Sequence, residues 1–150
     1  MNLEFQGQER IPAAKEKVWA FIVNPANIAA CLPDVQNYDI IDDRNFDATV
    51  QVAVGPVRGK LKFHIALDPQ PDGERMNMKI AGGGFGSVLD LLASADVKGD
   101  GDVTVLDWQG TATMRGPIAT IGVRVLDAQA RNVIATTFAN VKQRVAGAPV

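Results

Sequence analysis

The sequence predicts an α+β fold in which a curved antiparallel sheet of about seven strands wraps around one long C-terminal helix. Three observations predict it: a helical pattern over residues 117–145, about seventy preceding residues that alternate with period two, and two proline-bounded helical segments near the start. A helix of about 29 residues would be about 43 Å long at 1.5 Å per residue, enough to lie across a whole sheet. A sheet curled around such a helix encloses a cavity, so the residues that line the cavity decide the function.

The first strand and two short helices are indicated by local signals. Residues 3–10 alternate loosely and predict a strand, and Pro12 precedes a helix over residues 14–23. Asn24 can cap a second helix over residues 25–31, which Pro33 ends.

Six further strands follow between residues 35 and 114, each with one apolar and one polar face, as in Phe63 beside Lys62 and His64. The turns between them carry Gly-Pro, Asp-Pro and Gly-Asp-Gly signals. The predicted order is strand, two short helices, six strands and long helix. We expect a single domain over residues 1–145 and a flexible tail over residues 146–150.

The single cysteine, Cys31, excludes an internal disulfide and predicts a small buried side chain. The N-terminus has no basic and apolar leader, and no apolar run approaches the ~18 residues of a membrane span. These features predict a cytoplasmic protein.

The net charge of −2 is unevenly distributed, with +4 in residues 115–150 and −6 in the remainder. A basic C-terminal segment can attract an anionic surface. A helix face exposed to solvent would also account for this excess of basic residues. The acidic remainder argues against nucleic-acid binding.

Polar groups for catalysis or metal binding are scarce on the predicted inner faces. His64 is out of phase with the apolar residues of its strand and should face solvent, and Asp42-Asp43 fits a turn. The glycine cluster over residues 82–86 is expected to form a bulge or a rim, because no phosphate-binding motif follows. We expect no catalytic residue, no metal site and no covalent cofactor.

Three segments carry a family resemblance: IPAAKEKVWAFIVNPANIAACLP, GPVRGKLKF and GPIATIGVRVLDAQARNVIATTF. With Pro12, Val18-Trp19, Asn24-Pro25 and Cys31-Leu32-Pro33 in order, the chain resembles the CoxG family, named for the G subunit of carbon monoxide dehydrogenase. That family belongs to the helix-grip, START-like (Bet v 1-like, SRPBCC) superfamily. Asp34 stands where the family often has glycine.

The resemblance implies an accessory protein of a molybdenum-containing CO dehydrogenase or related hydroxylase, without catalytic activity of its own. It further implies a bound hydrophobic molecule, a respiratory quinone such as menaquinone or a lipid, and transient contact with the inner face of the cell membrane.

The inward faces and this resemblance together predict the site. The ligand-binding residues are expected to be Val50, Val52, Phe63, Ile65, Met76, Met78, Leu89, Leu91, Leu106, Trp108, Gly122, Val125, Leu126, Gln129 and Val133. The entrance is expected near Ile28, Leu32 and Phe85, and a partner or membrane surface at Arg124, Arg131 and Lys142. Gln129 is interpreted either as a hydrogen-bond donor to a quinone carbonyl or as a satisfied core amide.

Two alternative functions remain. One is a docking adaptor that recruits the dehydrogenase to the membrane through the basic helix face without carrying a ligand. The other is a small-molecule enzyme of the cyclase or hydrolase type found elsewhere in the superfamily.

Overall fold

The structure is a computed structural model that describes residues 1–147, apart from the side chain of Val54. Its strands are β1 (Asn2–Ile11), β2 (Val35–Ile40), β3 (Asn45–Val54), β4 (Val57–Pro69), β5 (Arg75–Gly84), β6 (Ser87–Asp100) and β7 (Val103–Arg115). Its helices are α1 (Lys15–Ile22), α2 (Pro25–Cys31), a 3₁₀ helix (Pro117–Ile121) and α3 (Val123–Gly147). The element order agrees with the prediction.

The seven strands form one antiparallel sheet in the order β1-β7-β6-β5-β4-β3-β2, so β1 and β2 are the edges. The β3–β4 and β6–β7 turns contain Gly55 and Gly101 at φ 59° and 63°, a conformation that glycine adopts without strain. Side chains that are paired across strands share a face, so the register separates an inner face towards α3 from an outer face. The predicted α+β class and strand number are confirmed.

The short helix α2 has the bounds that its flanking residues predict. The Asn24 side-chain oxygen accepts a hydrogen bond from the Ala26 backbone N–H at 3.0 Å, which caps the helix, and Pro25 occupies its first turn. After α2, Asp34 adopts φ 61°. This left-handed conformation is the one that a glycine at this position would adopt most easily.

The long C-terminal helix differs from its prediction at both ends. Residues 117–121 form a 3₁₀ helix, Gly122 follows at φ 101°, and α3 begins only at Val123. A residue at that φ lies outside the right-handed helical region and therefore interrupts the helix. At the other end, Ala146 and Gly147 belong to α3, and the rest of the expected tail, residues 148–150, lies outside the described residues.

Two apolar clusters fill the two ends of the fold. The first core joins α1, α2 and the C-terminal half of α3 to the sheet through residues such as Val18, Cys31, Phe46, Val97 and Val145. The second core joins the 3₁₀ helix and the start of α3 to β1 and β7 through Leu3, Phe5, Met114, Ile118 and Leu126. Phe63 packs against both.

We call the end of the second core the 3₁₀ end. There the Phe85 ring of the β5–β6 turn lies over Gly59 of β4. Gly86 of the same turn lies beside Pro117 of the 3₁₀ helix. The Ser87 hydroxyl accepts a hydrogen bond from the Ile118 backbone N–H at 2.9 Å. The 3₁₀ helix is thereby fastened to the sheet.

Replacing Thr104 by valine should lower the free energy of unfolding by about 1–3 kcal/mol, the cost of leaving a buried polar group unpaired. The fully buried Thr104 hydroxyl donates a hydrogen bond to the Ala13 carbonyl at 2.7 Å and ties β7 to the start of α1. Urea unfolding of Thr104→Val and Thr104→Ser measures this. The serine variant retains the hydroxyl, so an equal or greater loss in it would contradict the explanation.

Candidate functional site

The inner face of the central strands carries apolar side chains that are only half-buried although α3 overlies the sheet. The register aligns Phe63 with Gly82 and Leu89, and aligns Met78 with Ala93 and Gly110. Half-buried inner-face residues include Phe63, Met78, Ile80, Leu89, Leu91, Ala93 and Trp108. Side chains in a filled core have almost no accessible surface, so the middle of the fold, between the two cores, is incompletely filled.

The helix α3 contributes a second apolar wall to this space. Leu126, Val141 and Val145 are buried, and half-buried residues lie between them in sequence: Ala130, Val133, Ile134, Thr137 and Phe138. The Phe138 ring lies 5.5 Å from the Trp108 ring, centroid to centroid. Sequence reasoning misses Ile134 and Phe138, although they continue the four-residue spacing that starts at Leu126 and Ala130.

Two residues that were predicted to line the pocket from α3 lie on the outside of the helix. Val125 is 46% exposed and Gln129 is exposed. Their expected inward orientation is wrong. The side of α3 that faces the sheet carries Leu126, Val141 and Val145, and Val125 and Gln129 do not lie on it. Gln129 is therefore not a core amide.

The other predicted lining residues fall into two groups. Ile65, Met76, Leu106 and Leu126 are buried in the cores, whereas Val50, Val52, Phe63, Met78, Leu89, Leu91, Trp108 and Val133 are half-buried. Gly122 lies at the junction before α3. Of the expected entrance residues, Ile28 and Leu32 pack against the first core, and Phe85 lies at the 3₁₀ end.

Trp108 has the one buried side-chain N or O atom without a hydrogen-bond partner in the described part of the chain, its indole Nε1. The ring lies over Gly7 of the neighbouring strand, where a Cβ atom would come within 2.7 Å of it. An unpaired buried donor costs about 1–3 kcal/mol. Trp108 is thus a donor that the protein itself does not satisfy.

Surface depressions lie on the outer face of the sheet. One of about 1100 Å³ crosses β4 to β7 and β1, and its lining includes Glu4, Gln6, Asp68, Arg75, Asn77, Lys79, Leu92, Ser94, Gln109 and Thr111. Two smaller ones, of about 510 and 410 Å³, also lie on this face. Their linings mix polar and apolar residues, and that of the first also includes Phe5, Ala66, Met78, Ala93, Gly110 and Arg131. Among the predicted ligand-binding residues only Phe63, Met78 and Trp108 border any of the three.

The basic residues expected on α3 are not equivalent. Arg131 forms an ion pair with Asp127 at 2.8 Å and lies over the Phe5 ring, 5.3 Å from its centroid. Lys142 forms an ion pair with Glu9 at 2.7 Å. Arg124 forms no ion pair with any residue that the structure describes.

The polar side chains considered for catalysis lie on the surface. His64 is exposed, with Nδ1 2.8 Å from an Asp47 carboxylate oxygen. Asp42 accepts hydrogen bonds from the Asn45 side chain and the Arg44 N–H, each 2.9 Å long, which lower the pKa of its carboxyl in a turn. Within residues 1–147, no cluster of three or more His, Cys, Asp or Glu side chains suits a metal ion.

Cys31 is fully buried, and burial raises the pKa of its thiol. The thiolate, which is the reactive form, is therefore disfavoured. The side chain acts as part of the first core, as the sequence predicts.

The family model of CoxG, the G subunit of carbon monoxide dehydrogenase, matches residues 7–146. The chain belongs to the CoxG family. No curated protein sequence matches the chain. CoxG proteins are accessory to carbon monoxide dehydrogenase, which gives the family its name.

Solved structures identify the fold that this CoxG chain adopts. A conserved protein from Geobacillus kaustophilus is 20% identical, with a TM-score of 0.87 and coverage of 97% of this chain and 96% of the other. A START superfamily protein from Mycobacterium smegmatis is 11% identical, with a TM-score of 0.73 and coverage of 96% and 97%. Norcoclaurine synthase from Thalictrum flavum is 14% identical, with a TM-score of 0.64 and coverage of 97% and 87%. The fold is the START-like, Bet v 1-like helix-grip fold.

Among the described residues of this CoxG chain, no helix combines the length and apolar character needed to cross a membrane.

Proposed function

We propose that the protein is a non-catalytic accessory subunit of a molybdenum-containing CO dehydrogenase or related hydroxylase. It holds a hydrophobic molecule, a respiratory quinone such as menaquinone or a lipid, between the sheet and α3. In this way it links the enzyme to the quinone pool of the membrane. Membership of the CoxG family supports the association with the dehydrogenase.

The observation that carries the proposal is the incompletely filled inner face between the two cores. Its half-buried side chains are apolar, so binding would be driven by removing the ligand's hydrocarbon from water. Each buried CH₂ group contributes about 0.8 kcal/mol, so an isoprenoid tail needs few polar contacts to bind tightly. The scarcity of polar groups on this face also supports a binding role rather than catalysis.

Quinone and lipid retention tests the proposal directly. Purified protein is incubated with a menaquinone analogue, separated from free ligand by gel filtration, extracted with organic solvent and analysed by mass spectrometry. We expect the amount of extracted quinone, or of a lipid from the expression host, to be comparable to the amount of protein. Protein that retains neither under any loading condition would overturn the proposal.

Trp108 is the candidate donor to a ligand carbonyl, in place of Gln129, because its N–H has no acceptor and its ring borders the inner space. Trp108→Phe keeps an aromatic ring and removes the donor. We expect quinone affinity to fall about two- to tenfold, the worth of one hydrogen bond.

The matched measurement for Trp108→Phe uses a polyprenyl hydrocarbon without carbonyl groups. Its affinity should be unchanged by the substitution, and the free energy of unfolding should not fall. Equal losses for the quinone and the hydrocarbon would show that Trp108 acts through packing alone.

The adaptor alternative, docking through the basic face of α3 without a ligand, has less support. Two of its three cations, Arg131 and Lys142, already form ion pairs within the fold. An ion-paired cation has less to gain from an anionic partner because its charge is already compensated.

A further inference from the structure

Five exposed cations converge on the 3₁₀ end, four of them on the outer face of the sheet. The register places Lys62 and Arg115 in one cross-strand row, Lys62–Gly83–Val88–Arg115. Lys60 and Arg58 occupy the next outward-facing positions of β4 towards the β3–β4 turn. Arg124 lies in the first turn of α3, just after the 3₁₀ helix.

These five cations differ from most others in the fold because none forms an ion pair within the described range of the chain. The ion pairs involve Arg10, Lys15, His64, Arg75, Lys98, Arg131 and Lys142 instead. On β3 and β6 the nearest acidic side chains, Asp47 and Asp90, lie one outward-facing row further from this end. Asp34 lies at the sheet edge beside Gln51, two strands from Lys60, and Asp127, three residues after Arg124, is paired with Arg131.

The same end exposes large apolar side chains. Phe85 is 37% exposed at the tip of the β5–β6 turn, Val88 is 39% exposed, and Val123 at the start of α3 is 54% exposed. Phe85 is held there at φ 39°, an uncommon conformation for a residue with a side chain. Exposed apolar side chains interspersed with unpaired cations are typical of surfaces that enter the headgroup region of a membrane.

We propose that the 3₁₀ end docks on an anionic phospholipid surface. The occupant is a lipid bilayer because the cations match its phosphates and carboxylates in charge, while Phe85 and Val123 can enter its interface. This inference rests on the proposed function, since it assigns the surface through which the ligand would be exchanged with the membrane. Docking in this way would bring the 3₁₀ helix, and the space behind it, next to the lipid.

The sequence predicts docking through the long side of α3. The surface proposed here is the 3₁₀ end instead. Arg124 belongs to both surfaces, but Lys142 packs on Glu9 of β1 and Arg131 on Asp127 and Phe5. The basic residues that remain available are brought together by the register of β4 and β7 with the start of α3.

The docking surface is tested by sedimentation with vesicles that contain no quinone. Each Lys or Arg near an anionic membrane surface strengthens binding about fivefold, and the effect weakens as salt screens it. We expect binding to vesicles with roughly 30% phosphatidylglycerol, weaker binding at high salt, and little binding to pure phosphatidylcholine. Lys60→Glu should weaken binding at least tenfold.

The matched control is Lys79→Glu. Lys79 is also exposed on the outer face of the sheet and forms no ion pair with the described residues, but it lies away from the 3₁₀ end. This variant should bind vesicles within about twofold of the unchanged protein, since screening limits the reach of a distant charge. Val123→Ser tests the apolar contact, because serine removes the apolar side chain without adding a charge, and it should weaken binding to anionic vesicles.

Equal binding to neutral and anionic vesicles, an equal loss in Lys60→Glu and Lys79→Glu, or no binding at all would overturn the proposal. Loss of binding to the dehydrogenase in Lys60→Glu, without any binding to vesicles, would assign the surface to a protein partner instead. Quinone retention by the same variants is measured in the absence of membranes. Vesicle binding by protein that retains no quinone would leave the docking surface standing and remove the carrier function.

Discussion

Replacing Ala93 by phenylalanine should lower quinone retention by more than tenfold while leaving the protein folded. Ala93 lies on the inner face between Met78 and Gly110, in the middle of the incompletely filled region. Because that region is not close-packed, the added ring can occupy the space that a ligand would use. Overpacking a filled core costs about 1–3 kcal/mol, so we expect a loss of stability below that range.

The matched control for Ala93→Phe is Leu92→Arg on the same strand. Leu92 points to the outer face and is 62% exposed, whereas Ala93 is half-buried on the inner face, although both residues border the depression of about 1100 Å³. Quinone retention should be unaffected by this change, and both variants are compared by extraction and mass spectrometry. If Leu92→Arg abolished retention and Ala93→Phe did not, the ligand would bind on the outer face and the proposed site would be wrong.

Replacing Gly82 by alanine should destabilise the domain by about 3 kcal/mol or more, at the upper end of overpacking costs. A Cβ atom at Gly82 would clash with the Lys62 carbonyl oxygen and would lie 2.8 Å from the Phe63 Cα. Both neighbours are backbone atoms, so β4 and β5 would have to separate locally. Urea unfolding, with the transition midpoint and slope fitted separately, measures the loss.

The control is Gly55→Ala, which places a side chain on a residue in the left-handed conformation without causing a steric clash. Gly55 has φ 59°, and no atom lies within 4 Å of the position that a Cβ would take, so only the left-handed conformation is penalised. That penalty is about 1–2 kcal/mol. Equal losses in Gly55→Ala and Gly82→Ala would show that the close approach of β4 and β5 is not what requires glycine.

Features encoded by neighbouring residues could be predicted from the sequence. The bounds of α2 agree because Asn24, Pro25 and Pro33 act within a few residues, and the strands agree because alternation is a local pattern. For the glycines at 82–84, the sequence predicts a bulge or rim rather than a phosphate site. The structure explains them by close contacts with the backbones of β4 and β6.

The inward face of α3 was mispredicted because apolar residues that precede the helix were counted as part of its stripe. Since a helix advances 100° per residue, including Ile118, Ile121 and Gly122 shifts the centre of the predicted stripe. The sequence pattern therefore places Val125 and Gln129 inside, whereas they lie outside, and it misses Ile134 and Phe138. Gly122 is the signal in the sequence for this break, because glycine adopts a positive φ without strain.

By itself, the sequence determined the α+β class, the element order, the family and the apolar character of the inner face. These follow from local periodicity, turn residues and motifs. Only the tertiary structure decided that Lys142 is paired with Glu9, 133 residues away, and that Lys60 and Arg115 share one end with Arg124. Strand register and helix phase set such juxtapositions, and both depend on contacts between segments that are distant along the chain.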